Sequence, residues 1–268
     1  MRLVLFTGKG GTGKSTLASA YALKLAEHER VLLVSLDPAH SLSEILGTPV
    51  GSGRFVTERL KAVELEPELE KRRFLERVKT VAKTVLSTDR YLKLLEKAVE
   101  GPGAYEVLAL EALSRLLYEN RNAFSAAVLD MAPSGHALLT LREAVRVSSF
   151  LKELIKLRGK LELLKRAGGL NPGSATELLS ERAERLSFLE TLLREGTVNL
   201  VSTPDALALS EARQSLKSLR EEGFTVRTLY LNKALKPVKF EGLEVKVVPP
   251  LEEEPLGLGK LELLKPYL

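Results

Sequence analysis

The stretch Gly8–Thr16, GKGGTGKST, constrains this chain more than any other. It follows the apolar run Leu3–Phe6 and precedes a helical pattern over Leu17–Ala26, so the local order is strand, glycine-rich loop, helix. Gly8, Gly13, Lys14 and Ser15 satisfy the phosphate-loop pattern G-x-x-x-x-G-K-[ST]. Triphosphate oxygens need backbone N–H donors turned inward, and side chains at the glycine positions would block that approach. The helix that opens after the loop adds its positive N-terminal end. Gly8, Gly10, Gly11, Thr12, Gly13, Lys14, Ser15 and Thr16 are therefore the candidate phosphate-binding set. Lys14 is expected to reach the β- and γ-phosphates, and the Ser15 hydroxyl to ligate Mg²⁺.

Two further apolar runs end in an acidic residue followed by a proline-containing loop. Val31–Leu36 ends at Asp37, before Pro38-Ala39-His40-Ser41-Leu42, and Phe124–Leu129 ends at Asp130, before Met131-Ala132-Pro133-Ser134-Gly135-His136. Continuous apolarity suits parallel strands buried on both faces, and ligands sit at the carboxyl ends of such strands. Asp37 there can polarise a water near the γ-phosphate or hold Mg²⁺ through water; read locally, it can also cap a helix. Asp130 fits a carboxylate that supports a Mg²⁺-bound water. Ser15, Asp37 and Asp130 are thus the candidate metal residues. His40 and His136 fall in these same loops, as structural or functional residues alike.

The remaining pattern is that of an α/β chain: a parallel twisted sheet flanked by helices. Strands are expected at Lys61–Glu66, Val198–Ser202, Val226–Leu231 and Val245–Val248. Helical spacing runs from Glu68 to about Glu100, resumes after Gly101-Pro102-Gly103, and returns over Phe150–Ala167, Ala175–Arg194 and Leu207–Glu222; a leucine-rich tail suggests a closing helix. This much helix between sheet strands exceeds one crossover. We read residues 1–268 as a single nucleotide-binding domain with a helical elaboration at about 68–122 and 150–195. The Phe150–Ala167 helix carries six basic and two acidic residues, which suits either docking on a membrane or partner helix, or a solvated face.

Composition narrows the classes. Hydrophobic and charged contents of 44% and 28% are those of an ordinary globular protein, and no apolar run is long enough to span a bilayer. The N-terminus shows no leader pattern, so the expected location is the cytoplasm, with transient presence at a membrane. Cysteine is absent, which removes disulfides, thiolate zinc sites and thiol-bound metalloid. Scarce Asn and Gln among many charges fit a thermophile source. The net charge of +5 is no argument for nucleic acid in a protein that must hold a polyanionic ligand, and no nucleic-acid partner is expected. Asn232-Lys233, after a strand, matches the start of a guanine-reading N-K-x-D, but Leu235 stands where the acidic acceptor belongs. An Asn amide alone pairs well with adenine, so ATP/ADP is favoured over guanine nucleotides.

Lys9 gives the loop a second lysine. The string K-G-G-T-G-K-S resembles the deviant Walker A motif of the superfamily of MinD, ParA, nitrogenase iron protein and the arsenite-pump (ArsA) and Get-type ATPases. Asp37–Leu42 (DPAHSL) resembles switch I of the ArsA/Get-type family. Asp130–Leu138 (DMAPSGHAL) resembles its switch II, with Met131, Ser134 and Ala137 as departures. Val201–Glu211 and Pro249–Leu263 are similar to its strand–Pro-Glu–helix segment and its C-terminal stretch. The resemblance implies a Mg²⁺-dependent ATPase acting as a homodimer that closes on ATP. Lys14 and Asp37 would act in catalysis, Lys9 would act in trans on the partner's nucleotide, and Asn232 and Pro249 would join the nucleotide-binding set. It further implies a membrane-protein client or a membrane permease as partner. Departures leave the task open: the arsenite pump's cysteines, the C-x-x-C zinc motif of eukaryotic Get-type proteins and the pump's tandem arrangement are all missing. The alternatives are an ion-pump-driving subunit, a MinD/ParA-like partition ATPase and a nucleotide-sensing interaction module.

Overall fold

The computed structural model describes residues 1–37, 41–65, 104–131, 175–240 and 242–268, with 69, 72 and 76. The helix expected over 68–100, the basic helix Phe150–Ala167, His40, His136 and the loop Ala132–Leu138 lie outside the described residues. The chain separates into two compact units: Met1–Glu66, Glu119–Leu139 and Leu192–Leu268 in one, and Pro67–Tyr118 with Thr140–Thr191 in the other.

The first unit is built on an eight-stranded sheet. Its strands are β1 (Arg2–Gly8), β2 (Val31–Ser35), β3 (Arg54–Phe55), β4 (Leu60–Glu64), β5 (Ala126–Asp130), β6 (Thr197–Ser202), β7 (Thr225–Asn232) and β8 (Glu244–Val248). The order is β3-β4-β2-β5-β1-β6-β7-β8, and every pair is parallel except β3–β4. Each of the seven strands expected from sequence is present. β3 is the addition: two exposed residues on an edge leave no apolar alternation to read. β2 and β5 are buried at every position, as continuous apolar runs in a parallel sheet should be.

Helix α1 (Lys14–Leu25) lies under the loop, and its apolar residues do not form a single stripe. The reason is burial on two sides. Leu17, Ala18, Ala20, Ala22 and Leu23 join one core that also holds Val4 and Phe6 of β1 and Leu261, Leu264 and Leu268 of the C-terminal segment. A helix covered all round is apolar all round. Phe6 contributes ring contacts to Tyr21 of α1 at 5.3 Å and Tyr230 of β7 at 5.6 Å. The leucine-rich tail forms a short α-helix, Leu258–Leu261, and a 3-10 helix, Glu262–Tyr267; Leu261 and Leu264 face the core while Leu256 and Leu263 are exposed. Lys24 Nζ donates to the carbonyls of Lys265 and Leu268, tying the chain's end to α1.

Helix α2 (Leu42–Leu46) has no cap from its own N-terminal serine. Its free amides are met from the sheet instead. Glu64, at the end of β4, accepts from Leu42 N at 2.8 Å, Ser43 N at 3.3 Å and Ser43 Oγ at 2.7 Å. In the second unit the described elements are helix α3 (Ala104–Asn120) and helix α4 (Ala175–Glu195), both of which run on into the first. Leu108, Leu110, Leu113 and Leu117 are buried on α3, and Leu186 and Leu189 on α4. Tyr118 donates to Glu184 at 3.0 Å and meets Phe188 edge-on at 5.7 Å.

The remote cap on α2 is testable. Glu64→Ala strands two amides near the end of the sheet, and an unmet buried donor costs about 1–3 kcal/mol. Urea unfolding should show a loss of about 2 kcal/mol; a change under about 0.5 kcal/mol, the size of an ordinary surface substitution, would contradict this account of α2.

Candidate functional site

The sheet order brings the carboxyl ends of β2, β5, β1, β6 and β7 side by side, and the phosphate loop leaves the middle of that edge. Register aligns Ser35 with Asp130 on one side and with Glu64 on the other, and Gly8 with Val201. Two of the loop's glycines are required by this packing itself. A Cβ on Gly8 would come within 2.1 Å of the Val201 carbonyl oxygen, so a side chain there would break the β1–β6 junction. Gly13 sits at φ 90, in left-handed territory, and its Cβ would meet Asn232 Nδ2 at 2.3 Å. Only at Gly10 and Gly11 would an added Cβ meet nothing, which keeps the mouth of the loop open for a ligand.

A cleft of about 730 Å³ opens over the loop. Gly10, Gly11, Gly13, Lys14, Ser15, Thr16, Asp37, Asn232 and Pro249 line it, so most of the expected site residues share one cavity. The other wall is the 249–256 segment, including Glu252, Glu253 and Glu254. Gly8, Lys9 and Thr12 do not line it. Gly8 is enclosed by β6, and Thr12 is turned back, its hydroxyl donating to the Lys9 carbonyl at 2.8 Å. Helix α1 begins at Lys14 with no acidic residue in its first turn, leaving its N-terminal charge uncancelled toward the cleft.

The charged groups are arranged in two tiers. Lys14, almost fully buried, places Nζ 3.2 Å from Asp37 Oδ2. A cation and a carboxylate thus share the floor of the cleft. Beneath them Asp130 has no exposure at all. Ser35 Oγ donates to its Oδ2 at 3.1 Å, while Oδ1 has no hydrogen-bond partner. Burial pushes the Asp130 carboxyl up to about 6, against the opposing pull of Lys14 and the hydroxyls of Ser15 and Ser35. A buried carboxylate oxygen without a hydrogen-bond partner, on a residue that also feels the Ser15 hydroxyl, has the chemistry to suit a hard cation. Among the described residues no group of three or more His, Cys, Asp or Glu could hold a metal ion.

Asn232 has a structural duty alongside its expected contact with the base. Its Nδ2 donates to the Thr12 carbonyl at 2.8 Å, and its Oδ1 accepts from Lys233 N at 3.0 Å, where Lys233 stands at φ 56. An amide nitrogen has a second hydrogen and the oxygen a second lone pair, so both remain able to meet adenine. Leu235 is 82% exposed, with no acidic group at the position a guanine would need. Lys9 extends away from the cleft to Glu211 Oε1 at 3.1 Å, on helix α5 (Ala206–Glu221). Asp205 caps α5 through Ala208 N at 2.9 Å, and its carboxyl is held below the usual range by the Thr203 hydroxyl and that amide, with Lys9 adding a smaller pull.

Sequence reading missed Ser35, Glu64 and Glu211. Ser35 and Glu64 left one signal, a polar residue closing a buried apolar strand; Glu211 left none, because its partner is set by packing.

A phosphate loop on β1, paired carboxylates closing β2 and β5, and a cleft at the sheet's switch point define a P-loop nucleoside triphosphatase. The sequence model of the anion-transporting ATPase family (ArsA ATPase) matches residues 1–239, and the chain belongs to that family of ATP hydrolases. It is 35% identical over 241 residues to "Putative arsenical pump-driving ATPase 2" of Aquifex aeolicus, covering 88% of this chain and 81% of that one. It is 28% identical to a protein of Chlorobaculum tepidum that is likewise named for driving an arsenical pump, over 98% of this chain and 71% of the relative. ATPase GET3B of Arabidopsis thaliana is 28% identical, over 86% and 63%.

The burial of Asp130 sets a pH dependence. Its folded value, about 6, lies above the ordinary 3.8, so between those values the native state binds more protons than the unfolded chain. Without nucleotide and magnesium, stability should therefore fall as pH rises from 4 to 6, by at most about 3 kcal/mol from this group. Asp130→Asn should flatten that fall in urea titrations; parallel curves for the two proteins would contradict the assignment.

Proposed function

We propose that this protein is a Mg²⁺-dependent ATPase that works as a nucleotide-switched dimer and couples hydrolysis to the handling of a membrane-protein client or membrane partner. The observation that carries the reading is the division of labour between the two loop lysines. Lys14 lines the cleft, whereas Lys9 does not and pairs with Glu211 instead.

In this mechanism the inward amides of Gly10–Thr16 and the Lys14 ammonium bind the phosphates. Phosphate oxygens draw Lys14 from Asp37, which leaves the Asp37 carboxylate to orient the attacking water and accept its proton. Ser15 and Asp130 would hold the Mg²⁺, which when bound supplies charge neutralisation at the phosphates. Asn232 would bind adenine with its remaining donor and acceptor, and Pro249 would flank it. Lys9 of a second copy, released from Glu211, would add positive charge where negative charge develops. The Glu211 pair is partly exposed, so its opening costs little.

One alternative has specific support. The relatives named for driving an arsenical pump favour an ion-pump subunit. The missing cysteines oppose metalloid capture by this chain itself, since thiolates are the soft ligands that such an ion needs. No helix among the described residues is long and apolar enough to cross a membrane.

Lys9→Ala tests the dimer. It should keep ATP affinity within a few-fold, lose association of subunits with a non-hydrolysable analogue, and lower kcat by about 10²–10³-fold, as loss of one charge-stabilising donor does. Unchanged turnover and association would contradict it. In the same assay, stimulation by a transmembrane peptide supports the client reading, and stimulation by arsenite supports the pump.

A further inference from the structure

We infer that Ser35 is a positioning residue for hydrolysis, whose hydroxyl locks the Asp37 backbone to the Asp130 carboxylate. The inference rests on the ATPase reading above and adds a residue that it does not use.

Ser35 closes β2, whose five residues are all buried, and is itself only 1% exposed. A hydroxyl in such a place must find partners. Ser35 Oγ has two: it donates to Asp130 Oδ2 at 3.1 Å and accepts from Asp37 N at 3.2 Å. A hydroxyl offers one donor and two acceptor positions, so both bonds coexist. Alanine and valine, the ordinary occupants of a buried strand, offer neither.

The consequence is geometric. Asp37 leaves β2 two residues after Ser35, where the strand's ladder has ended. The Leu36 amide still donates to the Asp130 carbonyl at 2.8 Å, and the Asp37 amide donates to the Ser35 hydroxyl at 3.2 Å. Asp130 Oδ1 already lacks a hydrogen-bond partner, and Oδ2 is held by Ser35. One hydroxyl therefore fixes the carboxylate that faces the attacking water relative to the carboxylate on the cation side. Without it, the hydrogen-bonded link between the Asp37 backbone and the Asp130 carboxylate is lost, and the two carboxylates are held less closely in register at the step that needs it. The phosphate-loop amides lie between β1 and the first turn of α1 and take no part in this link, and Lys14 meets it only through its ion pair with the Asp37 side chain.

This predicts a separable defect. Ser35→Ala should bind a fluorescent ATP analogue in EDTA within about twofold of wild type. Its kcat should fall, and the Mg²⁺ concentration at half-saturation of analogue binding should rise, each by about 10–100-fold, the usual effect of removing a group that orients a metal site. Ser35→Thr, which keeps the hydroxyl, should restore both to within a few-fold. The experiment is steady-state hydrolysis together with analogue binding in EDTA and along a Mg²⁺ titration, for wild type and the two variants. A Ser35→Ala protein with wild-type kcat and Mg²⁺ dependence overturns the inference. So does one that loses analogue binding in EDTA and is not rescued by threonine, which marks Ser35 as structural only. A wild-type protein that neither binds the analogue nor hydrolyses ATP overturns the ATPase reading itself, and this inference with it.

Discussion

The close approach of β1 to β6 at the start of the phosphate loop is the constraint on which the rest of the site depends. With the Val201 carbonyl 2.1 Å from where a Gly8 Cβ would stand, only glycine lets the chain leave the sheet there. Asn232 then pins the loop from the other side through the Thr12 carbonyl, across 220 positions of sequence. Between these two contacts the loop's direction is set before any ligand arrives. Helix α1 is aimed by the same turn, since Gly13 is both its N-terminal boundary and the residue against which Asn232 packs. A preorganised anion site needs this kind of rigidity, because donors that must first be ordered bind less well.

Charge is layered around that frame. Lys14 faces Asp37 in the cleft, and Asp130 lies beneath them, buried and incompletely partnered. Leaving a carboxylate oxygen unpaired at zero exposure is unfavourable in an empty site and favourable once a cation is present. The second lysine is kept out of this arrangement. It is held by Glu211 of α5.

Much of this was legible in the sequence because it is local. The strand–loop–helix order around Gly8–Thr16, the acidic residues closing two apolar runs, and Asn232 after β7 are short patterns with a physical meaning at fixed spacing, and the cleft gathers most of them. What was not legible depends on neighbours from distant strands. Ser35 looked like the polar end of an apolar run, and its role emerges only because β2 lies beside β5. Glu64 looked like one more charge, and it caps a helix 21 residues upstream. A second duty of Gly8 and Gly13 was not legible either: besides any room for phosphates, they make room for Val201 and Asn232, which come from distant strands. The tail's leucines suggested a closing helix, and one forms at Leu258–Leu261, but the segment tightens into a 3-10 helix at Glu262 and leaves Leu263 in solvent.

The central claim is that two copies of the phosphate loop must meet for efficient hydrolysis, and subunit mixing tests it most directly. Lys9→Ala lacks the group given to the partner, and Lys14→Ala lacks the group used on its own nucleotide, so each variant alone should be nearly inactive. In a mixed dimer the Lys9→Ala subunit keeps its own Lys14 and receives Lys9 from the other chain, making one complete site. Equal mixing should restore about a quarter of wild-type turnover, the share of complete sites when symmetric dimers reassort freely. A mixture that stays as inactive as its parents, with exchange of subunits verified, would contradict the account.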